Sequence, residues 1–315
     1  MEHSDLQTQC FVKRAFTPIF QEENQPTLLY ISNVKPSSSS HPRVMHAHTD
    51  RVEVILICEG ASTYLIGNKQ YDVKKGDLLI YNPGVVHDEI SGPDNQLHSY
   101  CMAVGGLHMP GLPDYALTSA QEGVLFPTGA YFEDFNALFA MLFHSLSTDE
   151  TMTESFCNSL MHAILVKVLA LVKEHQESLK KQSGKKKSVE VNLDNTEALG
   201  HTIKKYIDAH YMEQITLQSI SSALYISPYY LSHVFKEMSG YSPMQYVLRR
   251  RVGEAQTLLI HTDLSLTRIA ENVGFETQSY FNYQFTKNVG ISPKKYRDNY
   301  IVNNKSNPKD ANKNA

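Results

Sequence analysis

The sequence predicts an α+β protein, in which an N-terminal antiparallel β-barrel is followed by two helices and then by an all-α C-terminal domain. Three observations support this fold class. Short β-rich runs separated by glycine-containing turns fill the first part of the chain. The spacing of apolar residues changes to a helical period from about residue 132. The last third of the chain contains two similar pairs of short helices joined by tight turns.

Length and composition indicate an ordinary globular protein. The 315 residues are enough for two domains, and 42% of them are hydrophobic while 20% are charged. The polar start MEHSDLQTQC predicts no signal peptide. The most apolar helical run, LMHAILVKVLALV, contains Lys167 and is too short to span a bilayer. Because the four cysteines form no CxxC pair, we expect a reducing, cytoplasmic setting and no membrane partner.

The charges are unevenly distributed along the chain. Residues 1–173 carry more acidic than basic side chains, residues 174–315 carry the reverse, and the whole chain has a net charge of -4. This asymmetry predicts that the C-terminal part meets a polyanion and that the N-terminal part has another task. The run Lys185–Lys187 is interpreted as part of a solvated linker.

The first 130 residues are predicted to form an arm and a barrel. Residues 1–25 are expected to be a loosely ordered arm. Residues 26–130 are expected to form the barrel, because turn signals such as Gly60, Gly67 and Gly76 divide a β-rich stretch into short strands.

The next region, residues 131–173, is predicted to contain two helices, the second running from about Thr153 to Lys173. The apolar face of the second helix is wider than packing against one domain requires. Two interpretations therefore remain open: the helices pack on the barrel, or they form the interface of a homodimer.

The remainder of the chain divides by composition into three parts. The polar stretch 174–195 is predicted to be an interdomain linker. Residues 196–300 are predicted to form a helical domain, and the polar residues 301–315 are expected to be a disordered tail.

Within the helical domain, residues of about 215–240 and 264–290 repeat one pattern of helix, turn and helix. In the first unit, Ser227 is predicted to cap the second helix and Gly240 to end it. In the second unit, Thr277 takes the capping role. Such a unit is a helix-turn-helix, whose second helix fits the major groove of DNA.

The stretch between the two units, PMQYVLRRRVGEAQTLLI, is predicted to be a helix. About 18 residues at ~1.5 Å each span roughly 27 Å. This length suits two recognition helices placed about 34 Å apart, which is one turn of B-DNA. The sequence therefore predicts double-stranded DNA as a partner that one chain contacts in two successive major grooves.

The second unit resembles the signature of the AraC family of transcription regulators. The family's turn and following helix match Val273-Gly274-Phe275 and Ser279-Tyr280-Phe281, and its closing Ser-Pro and Tyr-Arg pairs are also present. The resemblance implies a cytoplasmic regulator that binds promoter or operator DNA, commonly as a homodimer and an activator. It also implies that RNA polymerase is a further candidate partner and that the chain is not an enzyme.

The resemblance places the base-facing positions on the outward side near the start of each second helix. Gln and Asn can bind adenine edges, whereas an apolar stripe that includes Tyr280 and Phe281 is assigned to the core. The expected DNA-binding residues are Tyr229, Ser232, His233, Lys236, Gln278, Ser279, Asn282 and Tyr283. The expected phosphate-binding residues are Ser227, Arg249, Arg250, Thr277 and Lys287, and for the charged members surface solvation is the alternative.

A separate constellation lies in the predicted barrel. His46 and His48 precede Glu53 and, further on, His87. The spacing resembles the cupin fold, although the second cupin motif is matched only loosely. Regulators of the AraC family often carry a cupin-like sensor domain, so the resemblance implies that these four residues line a pocket for a small organic effector, with a sugar as one candidate and no cofactor.

Three alternatives for this chain stay open. In cupin enzymes three His and one Glu bind a divalent metal, so the same four residues are an alternative metal site. The protein would then be a cupin metalloenzyme, such as a dioxygenase or an isomerase, fused to a DNA-binding module. In a second interpretation the histidines are purely structural. In a third, the protein is a regulator that senses no ligand and is controlled by its abundance or by a protein partner.

Overall fold

The computed structural model describes residues 18–20, 25–35, 43–67, 69–90, 97–119, 121–148, 152–183 and 195–304. Most of the predicted arm, the lysine run and Cys10 lie outside the described residues. The first four residues of the predicted tail, 301–304, belong to the last helix, and the rest of that tail lies outside the described part as well.

The N-terminal domain consists of two antiparallel sheets, which confirms the predicted barrel. One sheet has five strands in the order β1-β7-β2-β5-β8, and the other has three in the order β4-β3-β6. The strands are β1 Thr27–Val34, β2 Val52–Glu59, β3 Ala61–Ile66, β4 Lys69–Lys74, β5 Asp77–Tyr81, β6 His87–Ile90, β7 His98–Gly105 and β8 Leu125–Pro127.

Strand β2 is buried on both faces and divides the apolar interior into two parts. Its side chains point alternately to opposite sides. Val54 and Leu56 belong to the apolar layer beneath the helices, whereas Ile55 and Ile57 belong to the layer between the two sheets. Glu53 has the same parity as Ile55 and Ile57, so the strand directs this carboxylate into the barrel.

Helices α1 (Phe132–Thr148) and α2 (Thr153–Ser183) pack on the outer face of the five-stranded sheet. The predicted linker 174–195 therefore begins too early, because α2 continues through residue 183. Its last turns contain Glu, Lys, Leu and Gln, which are strong helix formers, and no glycine or proline stops them.

The length of α2 also corrects an expectation about membranes. With 31 residues, the helix is long and apolar enough to cross a bilayer by length and composition alone. However, Ile164, Leu165 and Val168 are fully buried against the barrel. A core helix that packs its apolar stripe inward has the same length and composition.

The C-terminal domain is entirely helical. It begins with α3, continues with the two helix-turn-helix units α4–α5 and α7–α8 on either side of α6, and closes with α9. Its helices are α3 Asn195–His210, α4 Leu217–Ala223, α5 Pro228–Ser239, α6 Pro243–His261, α7 Leu266–Asn272, α8 Gln278–Val289 and α9 Pro293–Asn304.

The predicted helix ends are confirmed in both units. Ser227 Oγ accepts a hydrogen bond from the backbone N–H of Tyr230, and Thr277 Oγ1 accepts one from that of Tyr280. Gly240 follows α5 with φ of 75°, in the left-handed region that favours glycine. These caps determine where each second helix starts and therefore which side chains its first turn exposes.

Two expectations about the core have different outcomes. Phe281 and Phe285 are fully buried, as expected. Tyr280 is 52% exposed, so its assignment to the core is wrong. Phe281, Phe285 and Val289 repeat every four residues along the buried stripe of α8, and Tyr280 lies one position, about 100°, away from it.

The two domains are packed against each other. Val44, Met45, Leu65 and Val86 of the N-terminal domain belong to the same apolar cluster as the core of the C-terminal domain. Apolar side chains of the barrel thus cover part of the apolar surface of the helical domain.

The difference between Phe281 and Tyr280 is testable. We expect Phe281→Ala to destabilise the C-terminal domain by about 3–5 kcal/mol, because it removes a fully buried ring. Tyr280→Ala, its neighbour, should cost less than about 1 kcal/mol. Urea unfolding followed by circular dichroism measures both variants, and equal losses would contradict the assignment of Phe281 alone to the core.

Candidate functional site

The start of α5 presents the first set of expected DNA-binding side chains. Tyr229, His233 and Lys236 are exposed, while Ser232 is half-buried. His233 Nδ1 lies 3.8 Å from the carboxylate of Glu237 on the next turn. All four expected residues thus reach one outward surface of the helix, with an acidic neighbour beside the histidine.

The start of α8 presents the corresponding set in the second unit. Ser279 and Tyr283 are exposed, and Gln278 and Asn282 are half-buried. Thr267 of α7 donates a hydrogen bond of 2.7 Å to Gln278 Oε1, which orients the amide of this glutamine. Asn282 Oδ1 is buried and has no hydrogen-bond partner among the described residues.

The expected phosphate-binding residues divide into two groups. Ser227 and Thr277 cap α5 and α8, and Lys287 is exposed on the last turn of α8. A basic side chain and two helix N-termini are groups that suit an anionic partner.

Arg249 and Arg250 on α6 do not fit that expectation. Arg250 is buried, its Nε lies 3.2 Å from Asp208 Oδ1, and its guanidinium stacks over the ring of Tyr211 at 4.6 Å. Arg249 donates two hydrogen bonds of 2.7 Å to Asp88 of the barrel. In this arrangement both arginines are paired with carboxylates, Arg249 with Asp88 of the barrel and Arg250 with Asp208 of its own domain, so neither presents a free guanidinium to a phosphate.

The four residues of the N-terminal constellation come together in the barrel. The ligand atoms of His46, His48, Glu53 and His87 all lie within 4.8 Å of one another. The residues are only 5%, 8%, 3% and 6% exposed, respectively. This set is called the His/Glu cluster below.

The backbone that carries the His/Glu cluster differs in one respect from the expectation. His46 and His48 do not lie on a regular strand but on an extended segment before β2. His46 forms a single β-bridge with His87, with N–H···O distances of 3.0 and 2.9 Å in the two directions. Glu53 lies near the start of β2 and His87 begins β6.

The rings of the cluster are oriented by backbone carbonyls. His46 Nδ1 lies 3.0 Å from the carbonyl oxygen of Val44, and His87 Nδ1 lies 2.9 Å from that of Val85. Their Nε2 atoms face each other at 3.1 Å. In metal sites, a ligating histidine usually donates its other ring N–H to such a carbonyl or to a carboxylate.

Glu53 connects the remaining members of the cluster. Its Oε1 lies 3.0 Å from His48 Nε2, although the two groups do not have the alignment of a hydrogen bond, and its Oε2 lies 3.5 Å from His87 Nε2. Tyr30 of β1 donates its hydroxyl hydrogen to Oε1. Three nitrogens and a carboxylate are a donor set that first-row divalent ions accept.

The pKa values of two side chains in the cluster, Glu53 and His46, are shifted strongly. Burial alone would raise the pKa of the Glu53 carboxyl, but His48 and His87 beside it outweigh this effect and hold the pKa well below its usual range. Burial, together with Arg43, holds the pKa of His46 well below its usual value. The barrel therefore contains a charged carboxylate next to a neutral imidazole.

Two cavities lie outside the cluster. One, of about 400 Å³, is found at the junction of the domains and is lined by Gly84, Val85 and Val86 of the barrel and by Lys204 and Lys205 of α3, among others. The second, of about 190 Å³, lies on the C-terminal domain beside Arg249 and Lys287. Neither cavity is lined by the His/Glu cluster.

Sequence reasoning did not identify three residues at these sites. Tyr30 lies on β1 and bonds to Glu53, but nothing in the spacing of the motif indicates it. Tyr81 stacks on His87 with ring centroids 4.1 Å apart. Asp88 is fully buried and binds Arg249, and the only sequence signal for it is an acidic residue within a short strand next to His87.

Two protein-family models match the chain. One, described as an AraC-like ligand binding domain, covers residues 36–165. The other, described as a helix-turn-helix domain, covers residues 220–299. Each of the two domains therefore has a family match of its own.

Similar proteins match both domains or the C-terminal one. YdiP of Escherichia coli K12, described as an uncharacterized HTH-type transcriptional regulator, is 26% identical over 253 residues, which cover 80% of each chain. The arabinose operon regulatory protein of Salmonella typhimurium is 24% identical, covering 73% of this chain and 77% of that protein. The solved DNA-binding domain of the global transcriptional factor AdpA, in complex with a target DNA, is 26% identical, covers 33% of this chain and 93% of that chain, and has a TM-score of 0.32.

The burial of Arg250 leads to a prediction about stability. We expect Arg250→Ala to destabilise the C-terminal domain by about 1–3 kcal/mol, because Asp208 loses a partner and the ring of Tyr211 loses a packing neighbour. Arg268→Ala is the matched control, since the Arg268 side chain is exposed and pairs with Glu271 on its own helix. Thermal unfolding compares the two, and a control that is destabilised as much as Arg250→Ala would contradict the structural role.

Proposed function

Because the chain belongs to the AraC family of transcription regulators, we propose that it activates transcription in the cytoplasm when a small-molecule effector binds its N-terminal barrel. The chain is a DNA-binding regulator with a ligand-binding domain.

The observation that carries the proposal is the geometry of the two helix-turn-helix units. Helix α6 joins them and has 19 residues, which span roughly 28 Å. Recognition helices in successive major grooves are separated by about 34 Å. Helices α5 and α8 begin at capped N-termini and expose polar and aromatic side chains there, so we assign the contacts with DNA bases to these first turns.

Lys236 and Lys287, together with the capped helix N-termini at Ser227 and Thr277, are the proposed phosphate contacts. These contacts position the domain, while the base-facing side chains supply sequence preference. RNA polymerase is the proposed further partner of the DNA-bound protein, as activation of transcription requires.

The proposed effector site is the His/Glu cluster. Buried polar groups cost free energy unless they are paired, and four ionisable or polar side chains in an apolar interior are more than the fold itself needs. A sugar is one candidate ligand, because hydroxyl groups can both donate to Glu53 and accept from the histidines. The arabinose operon regulatory protein is among the similar proteins, which supports a sugar in particular.

We further propose that the protein acts as a homodimer and that the barrel senses a ligand without converting it. Along the outer side of α2, Phe156 and Val166 remain exposed beside small residues, and Met152 is exposed just before the helix. A second copy packing against this stripe would cover it.

DNA binding is tested by paired substitutions. We expect Gln278→Ala and Asn282→Ala each to weaken binding to the promoter region of the neighbouring genes by roughly 1–3 kcal/mol and to relax the sequence preference, because they remove base contacts. Lys287→Ala should lower the dependence of log affinity on log salt by about 0.9, since one phosphate contact is lost.

The matched control for the DNA contacts is Gln218→Ala, at an exposed position of α4 outside the first turns of α5 and α8. Fluorescence anisotropy at several salt concentrations measures all four variants. A full-length protein that binds this DNA no better than random DNA would refute the proposed function, and a Gln218→Ala variant as impaired as Gln278→Ala would refute the assignment of the contacts.

Effector binding is tested by thermal unfolding with a panel of sugars. A ligand that binds only the native state raises the unfolding temperature, by an amount corresponding to ~2.7 kcal/mol at one hundred times its Kd. We expect the increase to be lost in Glu53→Gln and retained in Arg268→Ala. An increase that survives in Glu53→Gln would place the effector elsewhere in the protein.

A further inference from the structure

The turn of the first helix-turn-helix unit begins with a tyrosine in an unusual backbone conformation. After α4, the N–H of Ile226 donates to the carbonyl oxygen of Ser221 at 3.1 Å. The N–H of Tyr225 donates to that of Ser222 at 3.3 Å. This pair of hydrogen bonds is the Schellman motif, in which the residue after the C-cap takes the left-handed conformation. Tyr225 is that residue, with φ of 56°.

The second unit forms the same turn with a glycine. After α7, the N–H of Phe275 donates to the carbonyl oxygen of Ala270 at 2.9 Å. The N–H of Gly274 donates to that of Glu271 at 3.1 Å, and Gly274 has φ of 91°. Glycine is the usual residue at this position, because it has no Cβ atom to clash in the left-handed region. The two units therefore differ at one equivalent position of one motif.

Glycines of this domain also lie where another backbone approaches closely. A Cβ atom on Gly274 would be 2.5 Å from the carbonyl oxygen of Met212. A Cβ atom on Gly253 of α6 would overlap the carbonyl oxygens of Val44 and Met45 of the barrel. The turn of the first unit, in contrast, has room for a large side chain that points into solvent.

The fold gains almost nothing from Tyr225. A left-handed conformation costs free energy for a residue with a Cβ atom, and a bulky residue rarely adopts it. The side chain is 95% exposed, so no burial of the ring offsets this cost. Strained residues of this kind concentrate at functional sites. We therefore look for the role of Tyr225 in binding rather than in packing.

The turn lies where the DNA backbone passes. In a helix-turn-helix, the first helix crosses the DNA backbone and the start of the second helix enters the major groove. The turn between them is therefore at the edge of the groove, which is lined by phosphates. Tyr225 lies two residues before Ser227, the N-cap of α5. Tyrosine hydroxyls are among the groups that bind phosphate oxygens.

We propose that Tyr225 is a DNA contact whose hydroxyl donates a hydrogen bond to a phosphate oxygen at the edge of the groove that α5 enters. The contact positions the first unit on the duplex and carries no sequence preference. It rests on the proposed function in that α5 enters a major groove. Gly274 has no side chain to make the equivalent contact, so the two units of one chain hold the DNA backbone unequally.

The hydroxyl is tested with Tyr225→Phe, which keeps the ring and the backbone. We expect the affinity to fall by about 5-fold, both on the promoter region of the neighbouring genes and on random DNA. The salt dependence should not change, because a phenol adds no positive charge. Fluorescence anisotropy measures both quantities. Tyr131→Phe is the matched control, since its hydroxyl binds Glu174 in the N-terminal domain.

The partner of the hydroxyl is tested with DNA in which single phosphates are replaced by uncharged methylphosphonates. At the contacted phosphate, the replacement should weaken the unmodified chain and have little further effect on Tyr225→Phe. At other phosphates the two effects should add, because the groups are independent. Additive effects at every phosphate along the site would overturn the contact.

The balance between stability and binding is tested with Tyr225→Gly, which places the favoured residue in the turn. We expect the unfolding temperature to rise by about 2–4 °C, and the DNA affinity to fall at least as far as in Tyr225→Phe. Changes of opposite sign are typical of a residue that serves binding at the expense of the fold. A lower unfolding temperature would show that the ring stabilises the domain, which would overturn the inference.

Equal DNA affinities of Tyr225→Phe and the unmodified chain would also overturn the contact. If transcription activation nevertheless fell, Tyr225 would instead contact a protein such as RNA polymerase. The phosphate contact does not depend on sequence, so its loss is measurable on random DNA even if the chain shows no preference for the promoter. Absence of that preference would refute the proposed function, whereas preference retained with equal affinities would refute the Tyr225 contact alone.

Discussion

The backbone bridge between His46 and His87 is the interaction on which both the His/Glu cluster and the domain junction depend. Two hydrogen bonds align an extended segment with the first residue of β6. On one side of this bridge the two rings turn into the barrel toward Glu53. On the other side Val44, Met45 and Asp88 face α6. A single local pairing thus helps to fix both the buried His/Glu cluster and the barrel's contact with α6.

The helix-turn-helix units could be predicted in detail because their determinants are local. A capping hydroxyl at Ser227 or Thr277 and a left-handed glycine at Gly240 act within one turn of the chain. The convergence of His46, His48, Glu53 and His87 was also predictable from motif spacing, although His46 and His48 lie on an extended segment with one bridge to His87 and not on a regular strand.

The remaining features depend on contacts between distant parts of the chain, which spacing does not encode. Two neighbouring arginines, Arg249 and Arg250, are typical of exposed phosphate contacts in a sequence. In the structure, however, Arg249 pairs with Asp88 and Arg250 pairs with Asp208. Tyr280 lies next to a core position and differs from it only by the rotation of the helix. The end of α2 was missed because polar helix formers resemble a linker when no tertiary contact is known.

The close approach at Gly253 limits how the two domains can be exchanged in evolution or in the laboratory. A residue with any side chain at this position would meet backbone carbonyls, which cannot rotate away as a flexible side chain can. A C-terminal domain from a relative would therefore dock on this barrel only if it carried glycine at the equivalent turn of the helix. The close contact at Gly253 therefore restricts which helical domains can be combined with this barrel.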